Sequence, residues 1–135
     1  MTGIRVLIVD DEEDVRCAAQ RLLEHNGATV EALSSGRTIR DWLFRYRPHI
    51  LIFDIVMPDE DGYSLIRRVR RFADHEGGNT PAISLTAHAR NEDRDRALAA
   101  GFTEHLPKPI DIPQLVSSIR ELTKVDVASP VEAAG

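Results

Sequence analysis

With 135 residues, 42% of them hydrophobic and 29% charged, the chain has the size and composition of one folded domain with a proper core. A formal net charge of -5 and a pI of about 5.5 argue against a domain held on nucleic acid by its own charge, and no apolar stretch is long enough to span a bilayer or serve as a secretory leader. The single cysteine, Cys17, excludes an internal disulfide and fits a reducing cytoplasm.

Ile4 to Val9 is a short apolar run rich in β-branched residues and reads as a buried strand; it runs into the acids Asp10, Asp11, Glu12 and Glu13. A helix follows, with Val15, Ala18, Ala19, Leu22 and Leu23 at core spacing and Asn26-Gly27 as its stop. Thr29 to Leu33 alternates polar and apolar, as an edge strand does. A second helix through Ile39, Trp42 and Leu43 ends near Tyr46, before Pro48. Ile50 to Phe53 is apolar on both faces and ends on Asp54, the pattern of a central strand in a parallel sheet. Asp61 is the expected N-cap of a third helix, whose core face is Leu65, Ile66, Val69 and Phe72. The arginines at 67, 68, 70 and 71 are expected to form a solvated face, and Glu76 to Asn79 a loop. Ala82 to Leu85 is a strand leading to Thr86. A fourth helix starts at Asn91, supported by a Glu92–Arg96 pair, with a thin core face of Ala97, Leu98 and Ala100. His105-Leu106 is the final strand. Lys108 follows it, and Asp111 caps a fifth helix carrying Leu115, Val116, Ile119 and Leu122. The expected division is a domain over 1–125 and a flexible tail or linker stub over 126–135.

Strict strand–helix alternation predicts an α/β fold: a flavodoxin-like doubly wound (βα)5 sandwich with a parallel sheet in order 2-1-3-4-5. Its switch point lies between the first and third strands. Asp10, Asp11 and Asp54 therefore converge on one crevice at the carboxyl ends of the strands. Carboxylates crowded together repel, and an all-oxygen set suits a hard divalent ion, Mg²⁺ being the natural one. Thr86 and Lys108 reach the same edge. A hydroxyl donor and an ammonium beside a metal and a carboxylate make a cradle for a phosphoryl group, with Asp54 as the attacking residue.

These motifs, Val9-Asp10-Asp11-Glu12, Asp54 through Gly62, Leu85-Thr86-Ala87 and Lys108-Pro109, resemble the receiver domain of two-component response regulators over about Ile4 to Val125. They resemble single-domain regulators or the receivers of hybrid histidine kinases. The resemblance implies a phosphoryl group accepted on Asp54 from the phosphohistidine of a histidine kinase or phosphotransfer protein. It implies Mg²⁺ held directly by Asp11 and Asp54, largely through water by Asp10, and by the Val56 backbone carbonyl. Thr86 and an aromatic residue three before Lys108 would turn inward together, changing the fourth-helix, fifth-strand and fifth-helix face, where a downstream protein or a second copy would dock. A cis Lys108-Pro109 bond is also implied. His105 stands where the family usually has Tyr or Phe, a planar side chain that can serve the same switch. Val56 and His88 would flank the attacking water's path. The protein would be no enzyme toward outside substrates, would touch neither DNA nor membrane, and would be cytoplasmic. Two other readings stand beside this one. The first is an Mg²⁺-dependent aspartyl-phosphate phosphohydrolase, which wants a proton donor where Val56 is. The second is a docking scaffold that is never phosphorylated.

Overall fold

The structure, a computed structural model, describes residues 2–87 and 90–134, with side chains through residue 123. Five parallel strands, β1 (Arg5–Val9), β2 (Thr29–Leu33), β3 (Ile50–Asp54), β4 (Ala82–Thr86) and β5 (Glu104–Pro107), lie in the order β2-β1-β3-β4-β5. The helices between and after them are α1 (Glu13–His25), α2 (Ile39–Tyr46), α3 (Gly62–Arg70), α4 (Asn91–Ala100) and α5 (Ile112–Ala134). This is the predicted flavodoxin-like order, with the half-covered β2 and β5 at the edges.

Strand alternation splits the interior into two cores. Leu7, Val9, Leu51, Phe53 and Ala82 point to α2, α3 and α4, where Ile39, Leu43, Leu65, Ile66 and Val69 meet them. Val6, Ile8, Ile50, Ile52, Ile83 and Leu85 point to α1 and α5, against Leu23, Leu115 and Ile119. In register, Leu51 pairs with Leu7 on one side and Ala82 on the other, so β3 is covered in every direction, as its continuous apolar run requires.

The helix starts follow the sequence. The Asp61 carboxylate accepts the Ser64 N–H at 2.8 Å, and Asp111 accepts the Gln114 N–H at 3.1 Å. Lys108-Pro109 is cis.

Several packing expectations fail for identifiable reasons. Val15, Ala18 and Leu22 lie at helical core spacing, yet Leu22 is 41% exposed; α1 turns only Ala19 and Leu23 fully inward, and the other three line an open groove. In α4 only Ala97 and Ala100 are buried, and Leu98 faces outward. Arg96 lies over the Tyr63 ring of α3 instead of forming the expected pair with Glu92. A 3-10 turn at Asp74–Glu76 precedes the expected loop.

The arginine run also divides. Arg67 and Arg71 are exposed as expected, but Arg68 binds Glu60 in two contacts and the Gly36 carbonyl. Arg70 donates to the carbonyls of Gly101, Gly78 and Thr80 at 2.9, 3.0 and 2.6 Å. Burial pushes the Arg70 guanidinium pKa down, but a guanidinium stays charged, so three carbonyl dipoles take the place of an acid. Arg70→Met keeps the aliphatic stem and strands those carbonyls. We expect it to lower stability by about 3 kcal/mol, read as a shifted urea midpoint with unchanged slope.

Candidate functional site

The site is built by strand ends. Asp10 prolongs β1, its N–H bonding the Leu33 carbonyl of β2 at 3.0 Å, and its side chain is fully buried. Asp54 is the last residue of β3 and 3% exposed. Thr86 ends β4 beside it, also buried, and its carbonyl accepts the Lys108 N–H at 2.7 Å, which fixes the start of the segment after β5. The sheet thus delivers a carboxylate from each of β1 and β3, a hydroxyl from β4 and an ammonium after β5 to one edge.

Lys108 is the centre of charge. Its Nζ lies 3.1 Å from Asp10 Oδ2, 3.2 Å from Asp54 Oδ1 and 3.0 Å from Glu12 Oε1. Burial alone would lower the Lys108 pKa; the hydrogen bond to Glu12 and the close charges of Asp10 and Asp54 raise it instead, so the ammonium is retained. The Asp54 carboxyl moves the other way. Burial first, and then the negative Asp10, push it up from 3.8 to about 6, while Lys108 and the Val56 backbone N–H partly offset them. Two buried acids facing one lysine leave excess negative charge in the crevice.

Two of the three acids singled out from the sequence, Asp10 and Asp54, place carboxylate oxygens within 4.8 Å of each other and of the exposed Glu12; Asp11, the next residue after Asp10, is exposed as well. The reason is local. The Glu12 N–H donates to Asp10 Oδ1 at 2.9 Å, a tight turn that brings Glu12 back over the crevice, and Lys108 draws its carboxylate in. Glu12 is a candidate that sequence reasoning did not single out, and the only signal in the sequence was an acid two residues after Asp10.

The set fits a hard cation. Asp10 Oδ2 is buried and takes part in the Lys108 ion contact, yet it accepts no hydrogen bond of good geometry among the described residues. An oxygen with unused lone pairs beside two further carboxylates is a donor set for a divalent ion.

Val56, two residues past Asp54, is 66% exposed at the rim. His105 points into the structure: its Nδ1 lies 2.6 Å from Ser84 Oγ, and its Nε2 is buried with no hydrogen-bond partner among the described residues. Ser84 directly faces His105 in the β4–β5 register, a pairing invisible before the register was known. His88 lies outside the described residues. His49 accepts the Arg5 N–H at 2.9 Å and serves the fold.

The response regulator receiver domain family model matches residues 6–120. The chain belongs to that family. It is a receiver domain of two-component signalling, a class of signalling domains rather than enzymes acting on an outside substrate. An uncharacterized 14.6 kDa protein from the sodA1 3′ region of Leptolyngbya boryana is 40% identical over 116 residues, covering 86% of this receiver and 87% of that protein. The response regulator MprA of Mycolicibacterium vanbaalenii is 34% identical over 121 residues, covering 90% of this chain but 51% of that protein, so the receiver spans about half its length. The receiver domain of the sensor histidine kinase PA1611 from Pseudomonas aeruginosa, solved with a magnesium ion coordinated in its active-site cleft, matches at a TM-score of 0.79 and 28% identity, over 90% of this chain and 98% of that one. Among the described residues no helix is long and apolar enough to cross a membrane.

Proposed function

We propose that this receiver takes a phosphoryl group onto Asp54 from a phosphohistidine of a kinase or phosphotransfer protein, and that the modification changes which proteins its surface binds. The observation that carries the reading is the Lys108 ammonium held within 3.2 Å of Asp54 and 3.1 Å of Asp10, at the strand edge that also presents Thr86. An Asp54 oxygen forms the new O–P bond as the N–P bond of the donor breaks. The imidazole leaves with the bonding pair and takes up a proton. Lys108 and the Thr86 hydroxyl face the phosphoryl oxygens and offset their charge. Asp10, Asp11, Asp54 and the Val56 carbonyl would hold Mg²⁺, with Glu12 as a further carboxylate. The ion would neutralise the crowded acids and the incoming phosphoryl charge.

The groove beside the site suits the donor. Val15, Ala18 and Leu22 of α1 face Ile110 and Ile112 across a channel that opens at Lys108. An amphipathic helix laid there would bring a side chain to Asp54. On the far side, the switch would run through Thr86 and His105 to the α4–β5–α5 face, where a downstream protein or a second copy would bind. The setting would be the cytoplasm.

The phosphohydrolase reading is weak because Val56 supplies no proton donor at the rim. A scaffold that is never phosphorylated has no use for a lysine shared among three acids. The test is intact mass after incubation with acetyl phosphate. One added phosphoryl group with Mg²⁺, none with EDTA, and no turnover of p-nitrophenyl phosphate is the expected result. Mass gain that persists without a divalent ion would remove the metal from the reading. Absence of gain from both acetyl phosphate and a phosphohistidine donor would leave the scaffold.

A further inference from the structure

We propose that Tyr63 and Arg96 form a positioning couple that ties α4 to the loop after Asp54, a connection separate from Thr86 and His105. The couple's existence rests on geometry alone; its role in signalling rests on the function proposed above.

The helix α4 has little else to hold it. It buries only the methyl groups of Ala97 and Ala100, and its other side chains are charged, exposed or both. Across from it stands Tyr63, 5% exposed, in the first turn of α3. The Arg96 guanidinium carbon lies 4.1 Å from the centre of that ring, in close face contact. Burial raises the Tyr63 phenol pKa, with the charge of Arg96 lowering it and those of Asp93 and Asp61 raising it in turn.

The other end of the couple is the acceptor loop. Gly62, next to Tyr63, donates its N–H to the Ile55 carbonyl at 2.8 Å, and a Cβ there would lie 2.4 Å from the Asp54 carbonyl oxygen. No slack separates the end of β3 from the start of α3. A shift of the Asp54–Ile55 backbone moves Gly62, Gly62 carries Tyr63, and the ring carries Arg96 and with it α4. The sequence hides this, because a helix-surface arginine four residues after a glutamate reads as an ordinary ion pair.

Hydrogen exchange on the full chain tests the couple. Arg96→Ala changes an exposed residue and leaves the cores intact. It should speed exchange of the α4 amides about fivefold, the size of one partly desolvated cation–ring contact. The Gly62 amide, on the far side of Tyr63 from Arg96, should speed up with them. Tyr63→Leu should do the same, Tyr63→Phe should behave as wild type because the ring remains, and the Tyr63→Leu/Arg96→Ala double variant should add nothing to either single. Full additivity, or faster α4 exchange with Gly62 unchanged, would overturn the proposal by showing two independent packing contacts. A second measurement keeps the two readings apart. The rate of acetyl-phosphate uptake should differ from wild type in Arg96→Ala and not in Tyr63→Phe, since what the loop does to α4, α4 does to the loop. Equal rates in wild type and Arg96→Ala would also overturn it. If the wild type takes up no phosphoryl group at all, the function proposed above fails, while the exchange data still decide whether the couple exists.

Discussion

Asp54→Asn is expected to abolish phosphoryl uptake and, at the same time, to stabilise the fold above pH 6. The first effect follows from chemistry: an amide oxygen is a poor nucleophile, and no second carboxylate stands at the end of β3. Intact mass should show the added phosphoryl group on wild type alone. Modification of the variant at Asp10 or Asp11 would displace Asp54 from the acceptor role. The second effect follows from charge. In the unfolded chain Asp54 ionises at its ordinary value of 3.8, and in the folded, metal-free protein at about 6. Between those values the folded state binds more protons than the unfolded one. The favourable contribution is therefore whole below pH 4, falls as pH rises, and is gone above about 6. At pH 7.5 wild type holds an ionised acid beside buried Asp10 that the asparagine variant lacks. The variant should be more stable there by about 2 kcal/mol, with the difference vanishing near pH 3.5, measured by urea denaturation in EDTA. A stability difference that instead grew on acidification would mean that Lys108, not Asp10, dominates the field at Asp54. Added Mg²⁺ should shrink the difference at pH 7.5, because wild type then gains a cation for its acids.

Gly62→Ala is expected to be the most damaging one-methyl change near the site. The added Cβ would meet the Asp54 carbonyl oxygen at 2.4 Å and the Ile55 Cα at 2.9 Å, and both are backbone atoms that cannot swing aside. Room can be made only by withdrawing α3 from the end of β3, which also lengthens the hydrogen bond from the Gly62 N–H to Ile55. Overpacking of this kind costs about 2–3 kcal/mol. Alanine otherwise favours a helix over glycine, so a destabilising result isolates the clash from helix propensity. Phosphoryl uptake should slow as well, since the carbonyl that is pushed belongs to Asp54 itself. A variant with wild-type stability and uptake would show that α3 floats freely on β3.

The fold was legible because each element carried its own punctuation. Val6 to Val9 and Ile50 to Phe53 are apolar on both faces, Asp61 and Asp111 announce helix starts, and the polar alternation of Thr29 to Leu33 places it at an edge. The site was legible at the strand ends, since topology alone carries Asp10, Asp54, Thr86 and Lys108 to a common crevice. What stayed hidden depends on where side chains turn after the strands stop. The turn made by Asp10 Oδ1 decides that Glu12, not Asp11, faces Lys108. The β4–β5 register decides that Ser84 meets His105. Whether an arginine is solvent, clamp or stacking plate, as Arg67, Arg70 and Arg96 are in turn, depends on neighbours distant in sequence. Leu22 and Leu98 were misplaced because helical spacing marks a face without saying how wide the covered stripe is.

The sheet that divides the interior into two separate cores also separates two sets of packing constraints. The α1 groove with its neighbour α5 rests on one core, and α4 with α3 rests on the other. Side chains on opposite sides of a fully paired strand share backbone but little packing. Substitutions that reshape the groove are expected to leave the footing of α4 undisturbed, and changes in α4 to leave the groove in place. Each side can thus change its packing without disturbing the other, and the crevice at the strand ends, touched by both sides, is the place where neither side is free to drift.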